Sequence, residues 1–193
     1  CALPIFWADM RDAVTYAARH PILRWLLPMI LVMATLTWPL SDLMAGIADA
    51  NFGRGASGLA ILVSAQGVGA ICGGLYLAQH RRYDELHWLL PRAMVVSGTL
   101  IAIFASLDNF SVAVAVLVLT GAFNVIAGSG SQAVTQTAAE DHMRGRTLSI
   151  WYTVTRAGPA LGGLALGTLA SHFGFHLPIM AAGLISATVG LYF

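Results

Sequence analysis

Six long apolar runs set the limits on what this chain can become. They cover about residues 22–47, 56–79, 88–107, 110–138, 147–171 and 176–193, and a charged or glycine-rich break separates each from the next. A helix that crosses a bilayer takes about 20 apolar residues, and in hydrocarbon only helices or closed barrels can pair every backbone amide. Charged residues make up 10% of the chain, lysine is absent and the mean hydropathy is +0.75, whereas a soluble domain is about a quarter charged. We therefore expect an all-α membrane protein with six transmembrane helices. The formal net charge of +1 comes with ten scattered arginines. That excludes nucleic acid as a partner, because phosphate binding needs a dense basic face.

Catalysis finds little support in the residues. No phosphate-binding glycine loop and no nucleophile elbow is present. Cys1 and Cys72 sit outside any metal-ligand spacing, and Gly174 puts a turn between His172 and His176. We expect no enzyme, no cofactor and no metal. Cys1 stands where a methionine would open a complete chain, so we expect a longer polypeptide. A lipid-modified N-terminal cysteine is the rival reading.

Residues 1–21 form a separate unit ahead of a 22–193 bundle. Phe6, Met10, Ala13 and Ala17 recur at helical spacing opposite Asp9, Arg11, Asp12 and Arg19, which predicts an amphipathic helix on the membrane surface, ended by His20-Pro21. With the N-terminus cytoplasmic, the inner segments hold Arg11, Arg19, Arg24, Arg81, Arg82, Arg92, Arg144 and Arg146, and the outer loops hold Arg54 alone. That asymmetry sets the orientation.

The six segments differ chemically. The third and sixth carry isolated serines, threonines and glycines and suit a lipid-facing place. The first, second, fourth and fifth concentrate glycine and polar side chains, and should face a cavity or another bundle. Gly69, Gly73, Gly74 and Leu75 in the second segment repeat as Gly158, Gly162, Gly163 and Leu164 in the fifth, 89 residues later. Because these segments cross in opposite directions, the repeat suggests two inverted three-helix units. Close backbone packing without a repeat is the plainer reading. Either way the glycine faces are buried.

Arg156 lies nine residues past Thr147, roughly 14 Å into the bilayer. A charge at that depth is kept by a cavity, a partner or a function. It either faces a cavity and meets an anionic or polar substrate, or is satisfied by carbonyls and polar groups of a neighbouring half. Asp42 is the one acid within a predicted span. It reads as a carboxylate at the outer mouth, with proton coupling as the alternative, and Pro39 close by suggests a hinge. Asn124, Gly128, Gln132 and Gln136 recur every four residues on the fourth segment. This amide stripe suits a hydrated route that recognises substrate by hydrogen bonds, or else interhelical bonding. Gln66, Thr155 and Tyr152, the last one turn from Arg156, would extend the lining. Trp25, Trp38, Trp88 and Trp151 lie near predicted helix ends, where interfacial anchoring is the default; Trp38 and Trp151 have ligand stacking as an alternative.

The stretch Arg144-Gly145-Arg146-Thr147-Leu148-Ser149-Ile150-Trp151, continuing through Arg156-Ala157-Gly158-Pro159-Ala160-Leu161-Gly162-Gly163 to Leu169-Ala170-Ser171-His172-Phe173-Gly174, resembles a major facilitator superfamily transporter. More narrowly, it is similar to the tenth-to-eleventh helix region of the exporter branch that includes macrolide efflux proteins and the enterobactin exporter. The lead-in Ala18-Arg19-His20-Pro21-Ile22-Leu23-Arg24 resembles the basic entry to that family's seventh helix. Gly158-Pro159 with Gly162-Gly163 resembles the core of the antiporter motif, although in the family that motif usually marks the fifth helix. The loop Gly74 to Arg82 lacks the acidic residue of the gating motif.

The resemblance implies the C-terminal six-helix half of a twelve-helix transporter in a bacterial inner membrane. Its implied activity is proton-coupled efflux of a small organic molecule (a drug, macrolide or siderophore-like compound) by alternating access. The implied partners are that substrate, the proton, the lipid bilayer and the missing N-terminal six-helix half. Gly69, Gly73, Gly158, Pro159, Gly162 and Gly163 would serve helix packing and gating. A lysophospholipid flippase of similar fold and a non-transporting structural subunit are the competing readings.

Overall fold

The computed structural model describes residues 3–79 and 83–192, and side-chain surroundings for 11–79, 86 and 88–192. Cys1, His80, Arg81 and Arg82 fall outside the described residues, as do the side chains of Phe6, Asp9, Met10 and His87. Among the described residues every regular element is helical: α1 (Leu3–Arg19), α2 (Leu23–Leu36), α3 (Leu40–Ala50), α4 (Gly55–Gln79), α5 (Tyr83–Ala105), α6 (Phe110–Ala138), α7 (Arg144–Phe173) and α8 (His176–Tyr192).

Four stretches are long and apolar enough to cross a membrane: Leu23–Ala50, Gly55–Gln79, Trp88–Ala105 and Phe110–Ala138. α7 has the length, with 30 residues, but opens on Arg144 and Arg146 and carries Arg156. α8 is apolar and shorter, at 17 residues.

Local chemistry explains the ends. His20 follows α1, and its Nδ1 accepts the otherwise orphaned amides of Ile22 (3.3 Å) and Leu23 (3.4 Å), so one side chain closes α1 and opens α2. Tyr16 tilts against the His20 ring at 5.6 Å, and its hydroxyl accepts from the Glu140 amide at 3.2 Å. Ala13 and Ala17 of α1 are buried, and α1 packs on α2 and α7. Asn109 caps α6, its side-chain oxygen accepting from the Ser111 and Val112 amides at 3.0 and 3.3 Å.

The first apolar run is not one helix. It breaks between Leu36 and Leu40, because Pro39 has no N–H to return to the Thr35 carbonyl. The amides of Thr37 and Trp38 both turn back to the Met33 carbonyl at 2.9 and 3.1 Å, and the Thr37 hydroxyl donates to it at 2.6 Å. Pro28, Pro91 and Pro159 lie inside helices that continue through them.

Glycines decide how the helices pack. α4 runs along α6, α7 along α2, and α5 along α8 and α6. A Cβ on Gly69 or Gly73 would collide with the Val118 or Ala122 carbonyl of α6. One on Gly158 would sit 2.6 Å from the Ala34 Cβ, and one on Gly162 would strike the Thr35 carbonyl of α2. Without a hydrophobic drive between helices in lipid, this close backbone approach supplies the dispersion that holds them. At the α5–α8 crossing the contact is reciprocal. A Cβ on Gly98 would lie 2.6 Å from the Gly183 carbonyl oxygen and 2.7 Å from the Ala187 amide; one on Gly183 would lie 2.6 Å from the Gly98 carbonyl oxygen and 2.7 Å from the Ala102 amide. Each glycine thus meets the other's carbonyl and the amide four residues beyond it.

Apolar side chains fill two clusters, one around Ile30, Met33, Met94 and Trp151, the other around Met44, Leu62, Ile101 and Leu117.

Candidate functional site

α7 has two unlike faces. Gly158, Gly162, Leu166 and Ala170, spaced by four, turn inward. Tyr152, Arg156, Leu161 and Leu164 are exposed on the other side. Arg156 makes no hydrogen bond or ion pair among the described residues. Asp42 is exposed on α3, and its Oδ2 lies 3.9 Å from where a Cβ on Gly163 would stand. Gly163 is seven residues past Arg156, about 10 Å along the helix, so the two charges stay apart.

Two adjacent bonds tie α7 to α6. Trp151 Nε1 donates to Ser131 Oγ at 3.2 Å, and Gln132 Nε2 donates to the Tyr152 hydroxyl oxygen at 2.9 Å. The Trp151 and Tyr152 rings meet edge-on at 5.1 Å. Thr155 donates to the Tyr152 carbonyl at 3.2 Å.

The amide stripe of α6 does not stay on one face. Asn124 turns to α5, where its Oδ1 accepts from the buried Ser97 hydroxyl at 2.6 Å. Gly128 lies beneath the Trp38 ring, Gln132 meets Tyr152 on α7, and Gln136 is exposed beside Arg144, whose Nε donates to the Gln136 carbonyl at 2.9 Å. Four-residue steps overrun one turn of a 3.6-residue helix, so the stripe winds from α5 toward α7. Asn124 thus fits the interhelical reading, while Gln132 and Gln136 lie on the α7 side. Gln66 accepts from Ser41 at 3.2 Å and joins α4 to α3.

Trp25 and Trp88 are exposed, and the Arg24 guanidinium sits 5.0 Å from the Trp25 ring centroid. Trp151 is buried, held by Ser131 and the surrounding apolar cluster rather than by a membrane surface. Ser131, which adjoins the amide stripe in the sequence, completes one of these bonds; Ser97 and Ser41 complete the others and were not singled out from sequence. The available signal was a lone serine in an otherwise apolar segment, which needs a partner once buried.

A family model described as transmembrane secretion effector (MFS_3) matches residues 6–193. No curated protein and no solved structure matches the chain.

Proposed function

The chain belongs to the transmembrane secretion effector family and is an integral membrane protein of the major facilitator transporter type, and we propose that it forms the C-terminal six-helix half of a twelve-helix exporter. In this reading α2 and α3 together make the first crossing and α4 to α8 make the other five, arranged as two inverted three-helix units. The reciprocal Gly98–Gly183 contact and the matched packing of α4 on α6 and α7 on α2 support that arrangement. The membrane is a bacterial inner membrane, with α1 on the cytoplasmic side.

The observation that carries the functional reading is the two-faced build of α7. Its glycine edge is locked against α2, and its opposite side, with Arg156 and Tyr152, is left uncovered by this bundle. A charge retained at mid-bilayer depth and facing away from its own bundle belongs to a hydrated route between two halves. Rocking of the halves around that route exports a small organic molecule in exchange for protons. Arg156, Tyr152, Gln132, Gln136 and Gln66 contribute to the route, and Asp42 is the acid available to it for proton coupling.

Efflux from vesicles holding the full-length polypeptide, under an imposed pH gradient, tests this. A macrolide, a catechol siderophore, ethidium and salicylate serve as probes. Gradient-driven loss of at least one probe, altered by Arg156→Ala and by Asp42→Asn, is the expected result. Movement of none removes the transport reading, and curves unchanged by both substitutions remove these residues from the mechanism.

A further inference from the structure

From the donors gathered on one turn of α7, we infer that this site selects organic anions, with a carboxylate seated on Arg156 and Tyr152. The inference rests on the reading that the open face of α7 lines the transport route. Guanidinium offers five N–H donors, accepts nothing and stays charged at any physiological pH. Among the described residues no carboxylate neutralises Arg156; Asp42, the acid nearest along α7, stands beside Gly163, two turns away.

One turn back, Gln132 Nε2 already donates to the Tyr152 oxygen at 2.9 Å. The phenol oxygen thus already accepts one hydrogen bond, and its own O–H is left to donate. Tyr152 is 45% exposed, so its side chain is partly open on the uncovered side of the helix. Residues four apart lie on the same helical face. Arg156 and Tyr152 therefore present chiefly donors to whatever enters.

A carboxylate complements this set. Its two oxygens match the planar fork of the guanidinium, and a remaining lone pair takes the phenol proton. A neutral amide offers one acceptor oxygen and adds donors that meet donors. A cationic compound meets like charge in a medium of low dielectric, which rejects it. Gln132 acts as a positioning residue, since it fixes which way the Tyr152 hydroxyl points.

The test is calorimetric titration of the detergent-purified full-length polypeptide with two matched pairs, salicylate against salicylamide and 1-naphthoate against 1-naphthamide. We expect each acid to bind at least about tenfold tighter than its amide, as a charge-assisted bidentate pair provides. Arg156→Gln should bring acid and amide within about twofold, Arg156→Lys should keep part of the preference, and Tyr152→Phe should reduce it several-fold. Acids and amides binding alike to the wild type, failure of both acids to bind, or an acid preference that survives Arg156→Gln each overturn the inference. Arg156→Gln that loses thermal stability without changing relative affinity assigns Arg156 to an acid elsewhere in the polypeptide, and also overturns it. The vesicle assay keeps the two proposals apart. Neutral or cationic probes that move normally in Arg156→Gln leave transport standing and remove the anion site. An acid preference in binding, with no probe moved, does the reverse.

Discussion

Along the α4–α6 seam, Gly69 and Gly73 of α4 meet an unbroken 29-residue helix, and the side of α4 turned away from it shows Ile61, Val68, Ile71 and Leu75. Along the α7–α2 seam, Gly158 and Gly162 of α7 meet the last turn before a break, and the side of α7 turned away shows Tyr152, Arg156, Leu161 and Leu164. The means of contact is the same in both: a small residue brings one backbone onto the carbonyls of another. The cargo differs. One seam positions an apolar wall, and the other positions a charge next to a discontinuous span. Gly162 also covers the Thr35 carbonyl, whose usual amide partner Pro39 removes, so the second seam sits where the first span is least regular.

Filling the seam should have the largest effect. Gly162→Val forces a side chain onto the Thr35 carbonyl and should cost about 3 kcal/mol, while Gly67→Val, with open space around its Cβ, should change stability by less than about 0.5 kcal/mol. Thermal unfolding in detergent compares the two, and equal losses would mean that close approach is not what holds α7 to α2.

Repairing the break comes next. Pro39→Ala returns an amide to the Thr35 carbonyl, worth about 1 kcal/mol net, and should let α2 and α3 merge. Slower amide exchange at residues 37–40, together with several-fold slower efflux, is expected. If exchange slows and efflux does not, the break has no part in transport.

Ser97→Ala strands the Asn124 side chain between α5 and α6 and should cost about 1 kcal/mol without altering ligand affinity. An affinity change would move Asn124 back toward the route. The smallest effect belongs to Tyr152→Phe, which removes the Gln132 bond for about 0.5 kcal/mol of stability while reducing the preference for acids.

The helix pattern was legible because it depends on local terms. Apolar length and the His20-Pro21 stop both act within a few residues, and α4, α6 and α7 lie within a few residues of the runs read at 56–79, 110–138 and 147–171. The repeated glycines announced a close approach, and Gly69, Gly73, Gly158 and Gly162 each make one. Two things were not legible. The amide stripe looked straight on a four-residue count, yet it winds around α6, so Asn124 and Gln132 serve different neighbours. Trp151 sits near a helix end, as an interfacial anchor does, yet it is buried because Ser131 waits across the α6–α7 contact. Pro39, read from the sequence as a hinge, is the one of five prolines within the apolar runs that splits its helix, although periodicity by itself does not separate it from Pro28, Pro91, Pro159 and Pro178.

Composition and spacing alone therefore determined that this chain lives in lipid as helices and that its glycine edges are contact edges. Hydrocarbon leaves an unpaired amide no solvent and a bulky residue no room at a backbone crossing. The tertiary structure decided which neighbour each edge meets, and with it the side on which Arg156 and Tyr152 are left uncovered. That choice rests on contacts between helices far apart in sequence, such as Gly162 on Thr35 and Gly98 on Gly183, and no local pattern contains them.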